Sequence, residues 1–250
     1  MIYGNTMASV YDALNDSIDY AAWADFLIRI FEKYAQRDVK RICEIACGTG
    51  SMATELSLRG YDVTASDISL EMLTEAEYKS RQAEAKVRYV SSDMRSFSLY
   101  TPTDICICLL DSMNYLLSPS DFRDTVESVY KNLADGGLFV FDINSKYKFE
   151  NVYSDNAYVI ENEGVLCAWQ NFYSQKNKIC DFYLSIFTEC EDGRYLRTDE
   201  HQRERMYTLR SVKKFLSDCG FELCGVFSDY DFTEGNEEKD ERLYIVAKKT

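Results

Sequence analysis

The stretch Glu44-Ile45-Ala46-Cys47-Gly48-Thr49-Gly50 is the part of the chain best built for chemistry. It joins an apolar run (39–46) that reads as a buried strand to a segment (51–59) that reads as a helix stopped by Gly60. Glycines in such a turn let a ligand approach the backbone closely, and the helix start offers unpaired N–H groups. By itself the turn is ambiguous. Gly48, Gly50 and Ala53 also satisfy the Gly-x-Gly-x-x-Ala form of a dinucleotide fingerprint. Asp67, roughly 20 residues on at the end of the next strand, suits any ligand with ribose hydroxyls. A glycine turn of purely structural purpose is the third reading.

Three features point away from a phosphate ligand. Glu44 puts a carboxylate beside the turn, which repels a pyrophosphate and attracts an ammonium group. Ser92-Asp93-Met94 follows the third strand and offers an acceptor for an adenine amino group beside an apolar side chain for its ring. Leu110-Asp111-Ser112-Met113-Asn114-Tyr115 closes the fourth strand with polar groups, at the edge where open α/β sheets bind ligands.

The elements that must position these residues alternate. A helix is expected over 20–34, with Trp23, Leu27, Ile30 and Tyr34 on one face. Strands are expected at 39–46, 61–66, 87–90, 105–110 and 138–143, with helices between them. The helix after the fourth strand opens at Ser118-Pro119-Ser120-Asp121 and ends at Gly136-Gly137. This rhythm implies right-handed crossovers and a parallel sheet. From about 145 to 207 it changes to half-buried strands at 165–173, 179–190 and 195–198, with a hairpin signal at Asp192-Gly193. A helix around Val212 and Leu216 and two strands, 221–228 and 242–248, resume the parent pattern.

In these motifs the chain resembles the class I S-adenosylmethionine-dependent methyltransferases over about residues 20–145 and 208–249. It is most similar to the small-molecule branch with an N-terminal helical lid and a β-rich insertion after the fifth strand. The resemblance implies an α/β Rossmann-like fold: a seven-stranded, mostly parallel sheet with its last strand antiparallel, helices on both faces, and a small antiparallel β insertion. It divides the chain into a cofactor-binding domain (1–144 and 208–250, with 1–36 as lid) and an insertion (145–207) expected to cap the substrate. The implied cofactor is S-adenosyl-L-methionine. Ala46, Gly48 and Gly50 would line its methionine part, Asp67 would hold the ribose, and Ile68, Met72, Asp93 and Met94 would meet the adenine. Glu44 and Leu110 complete the expected cofactor wall. Alanine stands at 46 where the family usually has glycine. Tyr11, in Tyr11-Asp12-Ala13-Leu14, resembles a recurring motif of the family, and the aromatic faces of Tyr3, Tyr11, Tyr20 and Trp23 suit a sulfonium cation. Plain helix packing is the other reading of Trp23 and Tyr20.

For the methyl acceptor the expected residues are Asp111, Asn114, Tyr115, Asn144, His201 and Arg205. Asp111, Tyr115 and His201 are the candidate bases. His201 is the chain's one histidine, and a solvated surface position is its alternative reading. The insertion leaves the fifth strand after Asp142-Ile143-Asn144, so it starts at the cofactor edge and could roof the site. Nitrogen acceptors are favoured over oxygen, because an acidic edge attracts an amine. A nicotinamide-dependent oxidoreductase and a non-catalytic S-adenosylmethionine-binding module are the rivals.

Bulk properties agree with a small-molecule partner. With 28 Lys and Arg against 42 Asp and Glu, the formal charge is −14, which disfavours nucleic acid and anionic membranes. The nine cysteines form no Cys-x-x-Cys pair, so no metal site is expected and reduced, buried thiols are. No secretory signal is visible and no apolar run approaches the ~20 residues of a membrane span, so the expected location is cytoplasmic.

Overall fold

The computed structural model describes residues 5–250; Tyr3 and the first residues of the expected lid lie outside them. Two helices, α1 (Asn5–Leu14) and α2 (Tyr20–Tyr34), precede the first strand. Then β1 (Arg41–Ile45), α3 (Ser51–Leu58), β2 (Asp62–Asp67), α4 (Leu70–Gln82), β3 (Val87–Ser91) and β4 (Thr103–Cys108) follow in alternation. A short 3-10 turn (Ser112–Tyr115) leads to α5 (Pro119–Asn132) and β5 (Leu133–Asn144). The Ser118 side chain caps α5 by accepting from the Asp121 N–H at 3.1 Å.

These strands join the two after the insertion in a seven-stranded sheet of order β10-β11-β5-β4-β1-β2-β3. β10 is Phe221–Phe227, β11 is Arg242–Lys249, and α6 (Leu209–Asp218) precedes them. β11 runs antiparallel to both neighbours, while β1 to β5 pair in parallel. On one face α2 and α3 bury Phe26, Leu27, Ile30 and Leu56 against the sheet; on the other α5 and α6 bury Phe122, Val126, Val212 and Leu216 against Phe139 and Phe141. Full burial of each such side chain contributes about 1.5–3 kcal/mol.

The insertion is a second sheet of order β6-β7-β8-β9, all antiparallel: β6 (Ala157–Asn162), β7 (Val165–Ser174), β8 (Ile179–Glu189) and β9 (Tyr195–Arg205). A π-helical turn, Lys148–Tyr153, links it to β5. Its inner face buries Cys167, Phe182, Leu184 and Ile186 with Phe149, against Met7, Ala8 and Val10 of α1 and Met72 of α4. The inserted sheet and the N-terminal helix therefore share one apolar cluster.

The structure departs from the sequence reading in three places. β6 was not expected; it forms a hairpin with β7 through Glu163-Gly164, both at positive φ (47° and 76°). β9 continues to Arg205, well past the expected 198. β5 begins at Leu133, so Gly136-Gly137 is a kink inside the strand, where a Cβ on Gly137 would stand 2.8 Å from the Ala134 and Asp104 carbonyl oxygens.

Candidate functional site

A cavity of about 570 Å³ opens at the carboxyl ends of β1, β2, β3 and β4. The lid contributes Tyr11, Leu14 and Tyr20; the inserted sheet contributes Trp169, Leu184, Gln202 and Glu204. Of the residues singled out in the sequence, Tyr11, Tyr20, Glu44, Ala46, Gly48, Asp67, Ile68, Met72, Asp93, Met94, Leu110, Asp111 and Tyr115 all line it.

The turn after β1 is shaped by backbone geometry. Ala46, Gly48 and Gly50 all sit in the left-handed region, at φ 54°, 53° and 70°. Alanine tolerates this at a cost that glycine avoids, of about 1–2 kcal/mol. Asp67 fastens the turn to β2: one oxygen accepts from the Gly48 N–H and the other from the Ser69 N–H, both at 2.9 Å. Each carboxylate oxygen retains lone-pair capacity for a further donor. Burial raises the Asp67 pKa, partly offset by these backbone donors.

Glu44 is 4% exposed, and its Oε2 has no hydrogen-bond partner among the described residues. Burial pushes its pKa up to about 8, with the Asp67 charge adding to the effect. An unsatisfied buried carboxylate is costly unless a cation or donor meets it. The nearby lysine is already committed: Lys79 Nζ lies 2.5 Å from Asp12 Oδ2 and donates to Thr49 Oγ1 at 3.0 Å and Ser51 Oγ at 2.6 Å. The turn thus presents an acid, which repels a pyrophosphate. At the adenine end, Asp93 pairs with Arg95 at 2.6 Å, which lowers its pKa, while Ile68 remains 42% exposed at the rim.

After β4, Leu110 and Asp111 are both left-handed, at φ 54° and 51°. The strain is held by a buried clamp. The Asp142 carboxylate accepts from the Asp111 N–H at 2.9 Å and from Arg242, whose other nitrogen lies 2.8 Å from Asp111 Oδ1. Asp142 is fully buried, and Arg242 stands between the two acids at the start of β11.

Several expected residues lie elsewhere. Trp23 packs in the core, edge-on to Tyr244 and stacked on Tyr230, outside the cavity lining. Gly50 is behind the wall, where a Cβ would meet the Tyr89 hydroxyl at 2.5 Å and Ala76 at 2.9 Å; its purpose is close packing. His201 is on the outer face of the inserted sheet, stacked on Tyr183 at 4.5 Å and paired with Asp181 at 2.7 Å. Arg205 donates to the Leu117 and Asn177 carbonyls. Asn114 and Asn144 are buried struts: Asn114 accepts from the Asn144 N–H at 2.9 Å and donates to the Arg205 carbonyl at 2.9 Å.

From β9 the residues that face the cavity are Gln202 and Glu204, one step either side of the outward Arg203. With Lys148, Tyr153, Trp169 and Arg242, they were absent from the sequence reading. A signal existed: Met206, buried at 4%, shares their parity along the strand.

An orphaned acid at the turn, paired acceptor oxygens on Asp67 and an apolar rim fit an adenosyl sulfonium bearing an ammonium group. Comparison with known proteins agrees. Residues 42–137 match the family described as a methyltransferase domain. A candidate methyltransferase of Geobacillus sp. (strain WCH70) is 30% identical over 239 residues, covering 96% of both chains. The glycine/sarcosine N-methyltransferase of Aphanothece halophytica is 26% identical over 234 residues, covering 90% of this chain and 81% of the relative. The crystal structure of an S-adenosylmethionine-dependent methyltransferase from Clostridium acetobutylicum ATCC 824 superposes with a TM-score of 0.88 at 29% identity, covering 98% of each chain. The nicotinamide reading of the glycine turn falls with these matches. The chain belongs to the class I S-adenosylmethionine-dependent methyltransferases.

Proposed function

We propose that the enzyme methylates a small molecule, at nitrogen in preference to oxygen, inside the cavity roofed by the insertion. The observation that supports this most is the enclosure itself: lid, sheet rim and inserted sheet all contribute to one cavity of about 570 Å³. Pockets of some 300–1,000 Å³ suit small ligands, and a polymer would need an open groove. A formal charge of −14 also repels nucleic acid. Acidic groups at the roof and rim, Glu204 and Asp111, favour a basic acceptor. The A. halophytica relative is named for an N-methyl transfer, in the same sense.

In this reading Glu44 and Asp67 would hold the ammonium and ribose groups of the cofactor, with Ile68, Met72 and Met94 against its adenine. Bound S-adenosylmethionine supplies an already activated methyl group, so the protein's own contribution is alignment and exclusion of water. Tyr11, Leu14 and Tyr20 close the lid side, and the Asp142–Arg242 clamp fixes the Leu110–Asp111 turn beside the transfer region. Residues 145–207 act as the substrate cap.

The test is incubation with methyl-labelled S-adenosylmethionine and a metabolite extract. Label in a compound below about 1 kDa is expected. Cofactor binding with no labelled product would instead establish a non-catalytic module, and label confined to RNA or protein would overturn the small-molecule reading.

A further inference from the structure

Beyond the cofactor wall, the cavity ends on polar groups that the reading above leaves without a task. Glu204 is 2% exposed on β9, and its Oε2 accepts from Asn144 Nδ2 at 2.8 Å. Asn144 is itself held by Asn114 and by the Tyr153 hydroxyl at 3.1 Å, so strands β5 and β9 together aim this carboxylate. Two residues away, Gln202 is 3% exposed; its Oε1 accepts from the Tyr115 hydroxyl at 3.0 Å, while its Nε2 has no partner among the described residues. Trp169 Nε1 is likewise buried and without a partner.

The other candidate bases are spoken for: Asp111 is ion-paired to Arg242, Tyr115 donates to Gln202 Oε1, and His201 is on the far side of the sheet. Among the described residues, no cation lies within ion-pair distance of Glu204. A buried carboxylate and two buried N–H donors that lack acceptors, all on residues lining one cavity, are a recognition set for a molecule with one basic nitrogen and one oxygen.

Resting on the N-methylation reading, we propose that Glu204 is the catalytic base, taking the proton of a small amine acceptor while Gln202 Nε2 and Trp169 Nε1 donate to an oxygen on the same molecule. The acceptor enters as an ammonium ion and gives one proton to the ionised Glu204. Its freed lone pair forms the nitrogen–carbon bond as the methyl–sulfur bond breaks, and that electron pair leaves with the sulfur. The products are an N-methylammonium ion and S-adenosylhomocysteine, and Glu204 returns its proton to solvent. Charge balances, because one positive charge leaves the sulfonium and one proton is released.

The groups facing Glu204 are Asp111 after β4, Asn144 on β5, Lys148 and Tyr153 on the π-helical turn, and Cys180 on β8. Burial, the Asp111 charge and a side-chain hydrogen bond shared with Asp111 raise its pKa well above its ordinary value, against the pull of Asn144 and Lys148. A base raised in this way is better matched to an ammonium proton, and transfer should quicken as pH rises and Glu204 ionises.

Two experiments test this. In the first, the wild-type enzyme and labelled S-adenosylmethionine meet a metabolite extract, either untreated or with its amines capped by N-acetylation. Label from the untreated extract alone supports the proposal. Label from both overturns it and leaves methyl transfer standing; label from neither removes both the methyl-transfer reading and this one.

The second compares Glu204→Gln with His201→Asn as control, using an acceptor isolated from that extract. Glu204→Gln should bind S-adenosylmethionine within about twofold of wild type by calorimetry, yet lose about a hundredfold or more in turnover along with the rising limb of the pH profile. Glu204→Asp should recover part of the rate, and the control should match wild type. An unchanged pH profile in Glu204→Gln would overturn the role assigned to Glu204.

Discussion

Glu44 and Asp67, acids on the paired strands β1 and β2, answer to different physics. Asp67 has backbone donors on both oxygens, whereas Glu44 has a bare oxygen and a pKa pushed up to about 8. With its folded value above the unfolded value of 4.5, the Glu44 contribution to stability is whole below about pH 4.5 and is lost as pH rises through about 8. Glu44→Gln should therefore flatten the pH dependence of unfolding and gain on wild type by a few kcal/mol at pH 9, as read by urea titration at several pH values. Cofactor binding should do the reverse, ionising Glu44 as the ammonium arrives. Calorimetry in two buffers of different ionisation enthalpy at pH 7 should show proton release in wild type and little in the variant, which should also bind more weakly. Equal proton release from both proteins would take Glu44 out of the ammonium site. For Asp67→Ala, loss of charge-assisted hydrogen bonds should weaken S-adenosylmethionine by a few kcal/mol at most, and an unchanged titration would remove Asp67 from the ribose contact.

At the level of elements, the parallel sheet was legible because its strands are buried on both faces and read as apolar runs between capped helices. Ser118, Gly60 and the residues 105–108 show this directly. Most residues expected at the cofactor line the cavity, because they hang on the ends of those strands, and most of those expected at the acceptor do not. A half-buried strand declares its inner face by apolar alternation, and at Gln202 and Glu204 the inner face is polar, because it lines a cavity. His201 and Arg205 stood out by residue type, while parity placed His201 on the outer face. The Asp142–Arg242–Asp111 clamp was also out of reach, since its members are 31 and 100 residues apart along the chain. Arg242→Met tests its weight. Leaving Asp142 and Asp111 without their cation should cost about 3–5 kcal/mol in unfolding free energy, whereas a surface ion pair would cost below about 1 kcal/mol. A loss in the lower range would mean that the left-handed Leu110–Asp111 turn is held by other contacts.

Across the whole molecule, the N-terminal helix touches both the cofactor turn and the inserted sheet. Met7, Ala8 and Val10 pack on the insertion's apolar face, while Tyr11 reaches within 3.9 Å of where a side chain on Gly48 would begin. Polar contacts of α1 include the Ala13 carbonyl, which accepts from Asn162 Nδ2 at 3.0 Å, and Asp12. Asp12 accepts from Thr49 Oγ1 at 2.7 Å and is ion-paired to Lys79, which also holds Ser51. Asp12 and Lys79 are 51% and 27% exposed, so the pair is screened and contributes only about 0.2–1 kcal/mol. A fastening this weak permits the helix to open for ligand exchange, and a ligand bridging turn and lid would add its own contacts to the closed form. Hydrogen exchange is the direct measurement. In wild type, the amides of α1 should exchange more slowly once S-adenosylmethionine is bound, with β4 and β5 unchanged. Lys79→Met should speed their exchange in the unliganded protein by up to about fivefold and weaken cofactor binding by no more than the same factor, since one screened ion pair governs both. If α1 exchange ignored the cofactor, the helix would be a fixed wall of the cavity, and entry would have to pass between the sheet rim and the insertion.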